Sequence, residues 1–242
     1  MKATKKKSKP KDSAYHHGDL KKTLIQCAVR MLEKVHPEDL SLRELARLAG
    51  VSQAAPYRHF KNKEELVAAI SQQGFELKFG YLLDAIRKYR SDPKEMYFQC
   101  ALAYFRMGRE HPQHFRLMIS SSVKPCPDYP DLLAAASATF VVVRDMVEIC
   151  QSAGVLGEGD PYQRAMNCWA VVNGFTALYA DDRLSWLGID DANAEHFLRG
   201  LMTQYLMGAS QDLAKSPRKS ALFTGELPSL YLSMMNQQKY ES

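Results

Sequence analysis

The stretch SLRELARLAGVSQAAPYRHF, residues 41–60, decides the fold. Ser41 followed three residues later by Glu44 is a capping-box signature that opens a short helix with Leu42, Leu45, Ala46 and Ala49 on one face. Gly50 then supplies a turn, Val51 a buried plug and Ser52 a second N-cap. Two short helices joined by a tight glycine turn form a helix-turn-helix, although an ordinary α-hairpin in a helical core has the same local spacing. In a helix-turn-helix the second helix enters the major groove with its first residues against the base edges, where bulk would hold the backbone away. Gln53, Ala54 and Ala55 allow that approach. The Gln53 amide can pair bidentately with adenine, and Ala54 or Ala55 can touch a thymine methyl. Pro56 stiffens so short a helix, and Phe60 returns to the core. Tyr57, Arg58 and His59 suit phosphate contacts that set register on the duplex, as do Ser41, Arg43 and Ser52. Lys63, next to Asn62 at the start of the following helix, adds an ammonium group where free backbone N–H groups already favour an anion.

Upstream, Leu20, Leu24, Ala28, Met31, Leu32 and Val35 fall on one face of a helix of about four turns, with Asp19 placed to cap it and His36-Pro37 to stop it. Charge agrees with a polyanion partner for this part of the chain. Residues 1–70 hold 15 Lys and Arg against 8 Asp and Glu, whereas residues 71–242 hold 17 against 19. Residues 1–11, MKATKKKSKPK, carry six lysines and no acid, too polar to fold alone. They are read as a disordered basic arm over residues 1–14, which either meets a polyanion or simply solubilises the chain.

Several classes are excluded. Residues 12–18, DSAYHHG, are polar where a secretory signal needs an apolar run. The longest apolar-rich run, Leu132 to Val143, is interrupted by Ser137 and Thr139 and is too short for a membrane span. Five cysteines with no C-x-x-C pair encode neither a disulfide framework nor a zinc ribbon, so a cytoplasmic location without membrane association is expected. His111 and His114 have a ligand-like spacing but no recognisable third ligand. GVLGEG, residues 154–159, follows a helix and reads as a terminator and linker. No catalytic dyad, triad or metal set emerges, so no cofactor, metal or enzymatic activity is expected.

The segments YHHGDLKKTLIQCAVRMLEK (15–34) and LSLRELARLAGVSQAAPYRHFKNKEELVAAI (40–70) resemble, as a block, the N-terminal domain of the tetracycline-repressor (TetR) family of bacterial transcriptional regulators. CWAVVNGFTAL (168–178) resembles the Trp-x-x-x-His-Gly segment of one branch of that family's C-terminal domains, with Asn173 where that pattern has histidine. The resemblance implies an all-α chain in which a three-helix, helix-turn-helix DNA-binding domain over 15–70 precedes a larger helical ligand-binding and dimerisation domain over 71–213. A tail over 214–242 follows.

Apolar periodicity supports that layout. It predicts one long helix from Lys63 to about Arg90, then helices over 93–110, 112–120, 130–153, 161–187 and 190–213. The last two long helices carry apolar faces, Ala165, Trp169, Val172, Thr176 and Tyr179 on one and Phe197, Leu201, Tyr205 and Ala209 on the other, which either fill the monomer core or, as the resemblance implies, form the interface of a homodimer. Such a dimer would bind a pseudo-palindromic double-stranded operator. Aromatic and thioether side chains of the middle helices suit an apolar pocket for a small-molecule effector of unknown identity, though each one equally suits plain core. The candidate ligand contacts are Tyr104, Phe105, Met118, Phe140, Trp169 and Asn173. The tail's Leu230, Tyr231, Met234 and Met235 either dock onto the body or stay loose. The expected function is therefore a DNA-binding repressor released by a ligand. The alternative is a non-specific or architectural DNA-binding protein with a helical partner-binding body.

Overall fold

The structure is a computed structural model that describes residues 17–209, with side chains over 20–208. The basic arm over 1–14 and the tail over 214–242 lie outside the described residues, as do positions 210–213 of the last predicted helix. Among the described residues every regular element is helical. No helix among them is long and apolar enough to cross a membrane. The chain divides into two compact units, Met1–Lys63 and Glu64–Ser242.

In the first unit, α1 (His17–Met31) and α2 (Leu42–Leu48) pack together, and α2 also packs on a 3-10 turn at Pro56–Arg58. A second 3-10 turn, Pro37–Asp39, bridges α1 and α2. Leu24, Ala28, Met31, Leu32, Leu42, Leu45, Ala46 and Phe60 are buried, as their helical spacing requires. Gly50 has φ +68°, the left-handed conformation that the tight turn after α2 needs and that an L side chain resists. Val51 follows half-buried, and its N–H donates to the Ala46 carbonyl over 3.0 Å.

Three local expectations are corrected. His17 and Gly18 are already helical, so Asp19 lies inside α1 and not at its cap, and regular helix ends at Met31, before Val35. Ser41 is the N-cap of α2 by backbone, accepting from the Leu45 N–H over 2.9 Å, but its side chain makes no cap hydrogen bond. Glu44 pairs instead with Arg47 one turn along at 3.1 Å, which withdraws the second half of the capping box. Finally, residues 53–59 do not form a regular α-helix capped by Ser52. They form a turn and then the 3-10 segment, with Ala55 N–H on the Ser52 carbonyl at 2.9 Å and His59 N–H on the Pro56 carbonyl at 2.9 Å. Pro56 has no N–H to return to Ser52 four residues back, so i to i−3 bonds take over there.

The second unit comprises α3 (Lys63–Tyr89, entering it from Glu64), α4 (Pro93–Glu110), α5 (Pro112–Ile119), α6 (Pro130–Ser152), α7 (Pro161–Ala180) and α8 (Ala194–Ala209). Proline opens four of these six helices, at a position where its missing N–H costs nothing. Asp92 and Asp160 cap α4 and α7 by accepting from the Glu95 and Tyr162 N–H groups, at 3.0 and 2.9 Å. α4 is the axis of the unit, packing against α5, α6, α7 and α8. Met96, Tyr97, Phe105 and Met107 of α4 are wholly enclosed. Gly108 brings α4 against α7, since a Cβ there would stand 2.5 Å from the Thr176 methyl.

Charge pairs fasten α8 to α4. Arg199 forks onto Glu95 at 2.6 and 3.0 Å while its guanidinium lies 4.3 Å over the Phe98 ring, and Arg106 forks onto Glu195 at 2.5 and 2.9 Å. α7 ends at Ala180, short of the predicted 187, because Asp182 turns left-handed at φ +53° and a 3-10 turn, Ser185–Leu187, follows. Residues 154–159 act as the expected terminator and linker. Gln151 Nε2 clasps the Gly157 and Gly159 carbonyls at 3.0 and 3.1 Å, and Arg164 donates to that of Glu158.

Candidate functional site

The first site is the turn that follows α2. Its exposed side chains are Ser52, Gln53, Ala54, Tyr57 and Arg58, joined by Arg43 on the outer face of α2. Tyr57 is 50% exposed. Beneath this row lie Ala55, Pro56 and Phe60, all buried. Burial takes Ala55 away from any base and leaves Ala54 as the exposed alanine of the pair. Ser41 and His59 are half-buried at the margin. Lys63 donates its ammonium to the Glu38 carbonyl, which ties the start of α3 to the 3-10 turn at Pro37–Asp39 and leaves two of its three donors for another acceptor. The result is a small knob with polar, cationic and aromatic groups on one side and a dry underside.

The second site lies within the second unit, in a cavity of about 30 Å³ whose walls come from α3, α4, α6, α7 and α8. That volume is the room of one or two water molecules. Its lining is apolar, with Leu82, Val143, Met146, Val172 and Met202 among the walls, and Tyr104 and Trp169 are part of it. Tyr104 donates its hydroxyl to Asn173 Oδ1 at 2.7 Å. Burial pushes the Tyr104 phenol well up from its ordinary value, and the Trp169 side chain partly offsets that. The sequence candidates therefore divide. Tyr104, Trp169 and Asn173 form one cluster. Phe105 is core, packed on Phe175 and Tyr179 with centroids 5.5 and 4.9 Å away. Met118 lies against Gly74 of α3, and Phe140 tilts onto Tyr162 at 4.9 Å. Neither lines the cavity.

Sequence reasoning missed Lys78, the most unusual residue of this cluster. It is 5% exposed, and its Nζ lies 4.4 Å from the centroid of Tyr104, 5.7 Å from that of Phe75 and 5.8 Å from that of Trp169. Burial lowers its pKa from 10.5 to about 7. A signal was present. Leu66, Ile70, Gly74, Lys78 and Leu82 recur at intervals of four, so a lysine occupies the apolar stripe of α3.

Elsewhere, His111 and His114 sit at the α4–α5 corner with their rings 5.9 Å apart, and no group of three potential metal ligands occurs among the described residues. Burial, with His111 as a second cause, lowers the pKa of His114.

Comparison with known proteins gives two family matches. Residues 24–70 match the family model described as bacterial regulatory proteins, tetR family, and residues 97–205 match that of the tetracyclin repressor-like C-terminal domain. No curated protein matches the chain. Among solved structures, one from Rhodococcus sp. RHA1, titled as a protein with unknown function, is 28% identical, with a TM-score of 0.69 over 83% of this chain and 100% of its own. The TetR family transcriptional regulator PfmR from Thermus thermophilus is 22% identical, with a TM-score of 0.61 over 76% of this chain and 97% of its own. AibR, solved in complex with isovaleryl coenzyme A and operator DNA, is 17% identical, with a TM-score of 0.60 over 75% of this chain and 96% of its own. The last two likenesses are of fold.

Proposed function

The chain belongs to the tetracycline-repressor family of DNA-binding bacterial regulators, and on that basis we propose that it is a homodimeric repressor released from a pseudo-palindromic operator by a small-molecule effector. The observation that carries the DNA-reading half of this reading is the exposed row Gln53, Ala54, Tyr57 and Arg58 on the dry base of Ala55, Pro56 and Phe60. Gln53 reads a base edge, and Arg43, Tyr57, Arg58 and the remaining donors of Lys63 hold phosphates, with Ser41, Ser52 and His59 at the margin. Residues 15–70 are the reading head, and residues 71–213 carry the effector and the dimer.

The α7 face read from the sequence as core or interface lies within the monomer, with Ala165, Val172 and Thr176 buried, Trp169 on the cavity and Tyr179 on Phe105, so support for a dimer comes instead from the opposite, outer face of α7 together with α8. Leu178, Phe197 and Leu201 are more than a third exposed there, around a groove of about 390 Å³ that Phe175, Leu184 and Ile189 also line. A monomer gains nothing from that exposure, whereas a second copy applying the same face buries it twice. Release follows as a population shift: the effector favours the conformation in which the two reading heads no longer match the half-site spacing.

Fluorescence anisotropy on DNA from immediately upstream of the gene, against a shuffled duplex at two salt concentrations, tests the reading. A preference of about a thousandfold that persists at the higher salt is expected. Equal binding that collapses with salt would favour instead an architectural role, the reading to which the six lysines of residues 1–11 lend weight.

A further inference from the structure

Lys78 carries a cost that the fold does not return. Its ammonium is enclosed by rings and aliphatic side chains, and no carboxylate pairs with it among the described residues. The cavity lining around it contains no acid, and Glu95, Glu195 and Glu76 of the same unit are engaged by Arg199, by Arg106 and Arg109, and by Gln72. Cation–π contact with Tyr104 compensates for only part of the lost hydration. Leucine or methionine at this position would fill the same space without the penalty.

We propose that Lys78 anchors the effector, and that the effector is an organic acid whose carboxylate lies on Lys78 Nζ and whose apolar body packs against Leu82, Val143, Met146 and Val172. The proposal rests on the ligand-released reading and names the class of ligand. Two further observations support it. Tyr104 and Trp169 frame the ammonium, and Tyr104 is fixed by its bond to Asn173, so the polar end of the cavity is already oriented. Met146 and Met202 stand on the walls, and flexible thioethers let a cavity of about 30 Å³ open around a larger body.

Proton linkage gives the proposal its own signature. The cavity lining offers the Tyr97 and Tyr104 phenols and the Cys100 thiol on α4 and the Cys168 thiol on α7, while its α6 and α8 members, Val143, Met146 and Met202, do not titrate. Burial pushes all four titrating groups upward, Cys168 to about 11, so they stay neutral at physiological pH. Lys78, brought to about 7, is the lining group whose charge changes there. A carboxylate therefore binds with uptake of a proton at pH 8, and its affinity falls by about tenfold per pH unit above neutrality.

The test uses the full chain carrying Trp186→Phe, which leaves Trp169 as the reporting indole of the two tryptophans. Hexanoate, octanoate and benzoate are titrated against hexanol, octanol and benzyl alcohol, in this chain and in the same chain with Lys78→Met. Expected are carboxylate binding at least tenfold tighter than that of the matching alcohol, loss of that preference with Lys78→Met, and calorimetric proton uptake at pH 8. Alcohols that bind as tightly as acids, a preference that survives Lys78→Met, or no carboxylate binding at all would overturn the proposal. So would a borohydride-trapped adduct with hexanal in the absence of carboxylate binding. Anisotropy on the operator separates the two readings. Acids that bind through Lys78 without changing DNA affinity leave the anchor standing and refute ligand release, whereas release by the alcohols alone does the reverse.

Discussion

Replacing Lys78 with methionine should make the protein more stable, by an amount that depends on pH in a specified direction. A tenfold change in proton affinity corresponds to about 1.4 kcal/mol of differential interaction between the two protonation states. A fall from 10.5 to about 7 therefore means that at pH 7 this lysine costs the folded state roughly 4 kcal/mol relative to an uncharged side chain. The direction follows from counting protons. Between pH 7 and 10.5 the unfolded chain keeps the proton on this lysine and the folded chain has released it, so wild-type stability rises with pH across that window. At pH 9 the cost has fallen to about 2 kcal/mol. Methionine has no such dependence, and its unbranched side chain occupies nearly the volume of the lysine stem. The variant should thus exceed wild type by several kcal/mol at pH 7, about 10 °C or more in Tm, and the gap should shrink by about 2 kcal/mol by pH 9. Urea denaturation followed by tryptophan fluorescence reads it cleanly, because Trp169 and Trp186 both belong to the second unit. Titration of the cysteines and tyrosines is common to both proteins and cancels in the difference. A variant less stable than wild type, or a gap that does not change between pH 7 and 9, would refute the reasoning.

Other consequences can be measured directly. Gln53→Ala should reduce discrimination between operator and shuffled DNA by about 1–3 kcal/mol at one base pair, whereas Arg58→Ala should weaken both duplexes alike and lower the salt slope by about one. Leu201→Glu, which places a charge in the exposed apolar face of α8, should convert a sedimenting dimer to monomer while leaving the circular-dichroism spectrum unchanged. Gly108→Ala should lower Tm in spite of alanine's better helix propensity, because its Cβ meets the stiff Thr176 methyl at 2.5 Å and overpacking of this kind costs about 1–3 kcal/mol. Glu95 is held down to about 2, chiefly by its hydrogen bonds from Arg199, so the stabilisation it provides is present above pH 4.5 and is lost as pH falls from there toward 2. Glu95→Gln should flatten that limb of an acid-unfolding curve relative to wild type.

Whatever follows from spacing along one helix, and from residues whose backbone behaviour is fixed, was legible in the sequence. The apolar period placed α1 and α3 to α8, proline marked the starts of α4, α5, α6 and α7, and Gly50 placed the turn behind α2. The exposure of Gln53 and Tyr57 and the shared helix face of Trp169 and Asn173 were within its reach, whereas the bond from Tyr104 to Asn173 joins two helices and was not. Tertiary structure decided where several helices had to be counted together. Phe105 and Trp169 look equivalent as letters, yet one fills the core between α4 and α7 and the other borders a cavity, because that depends on which helix lies opposite. Ser41 and Ser52 have capping chemistry, but competition from Arg47 for Glu44 and the missing N–H of Pro56 decided what their turns became. Lys78 shows the difference most directly. Its place on the apolar stripe of α3 is written in the sequence. Whether a carboxylate from another helix would meet it there was a question of packing, and the helices facing it bring aromatic rings, thiols and methionines, which leave its charge for something else to satisfy.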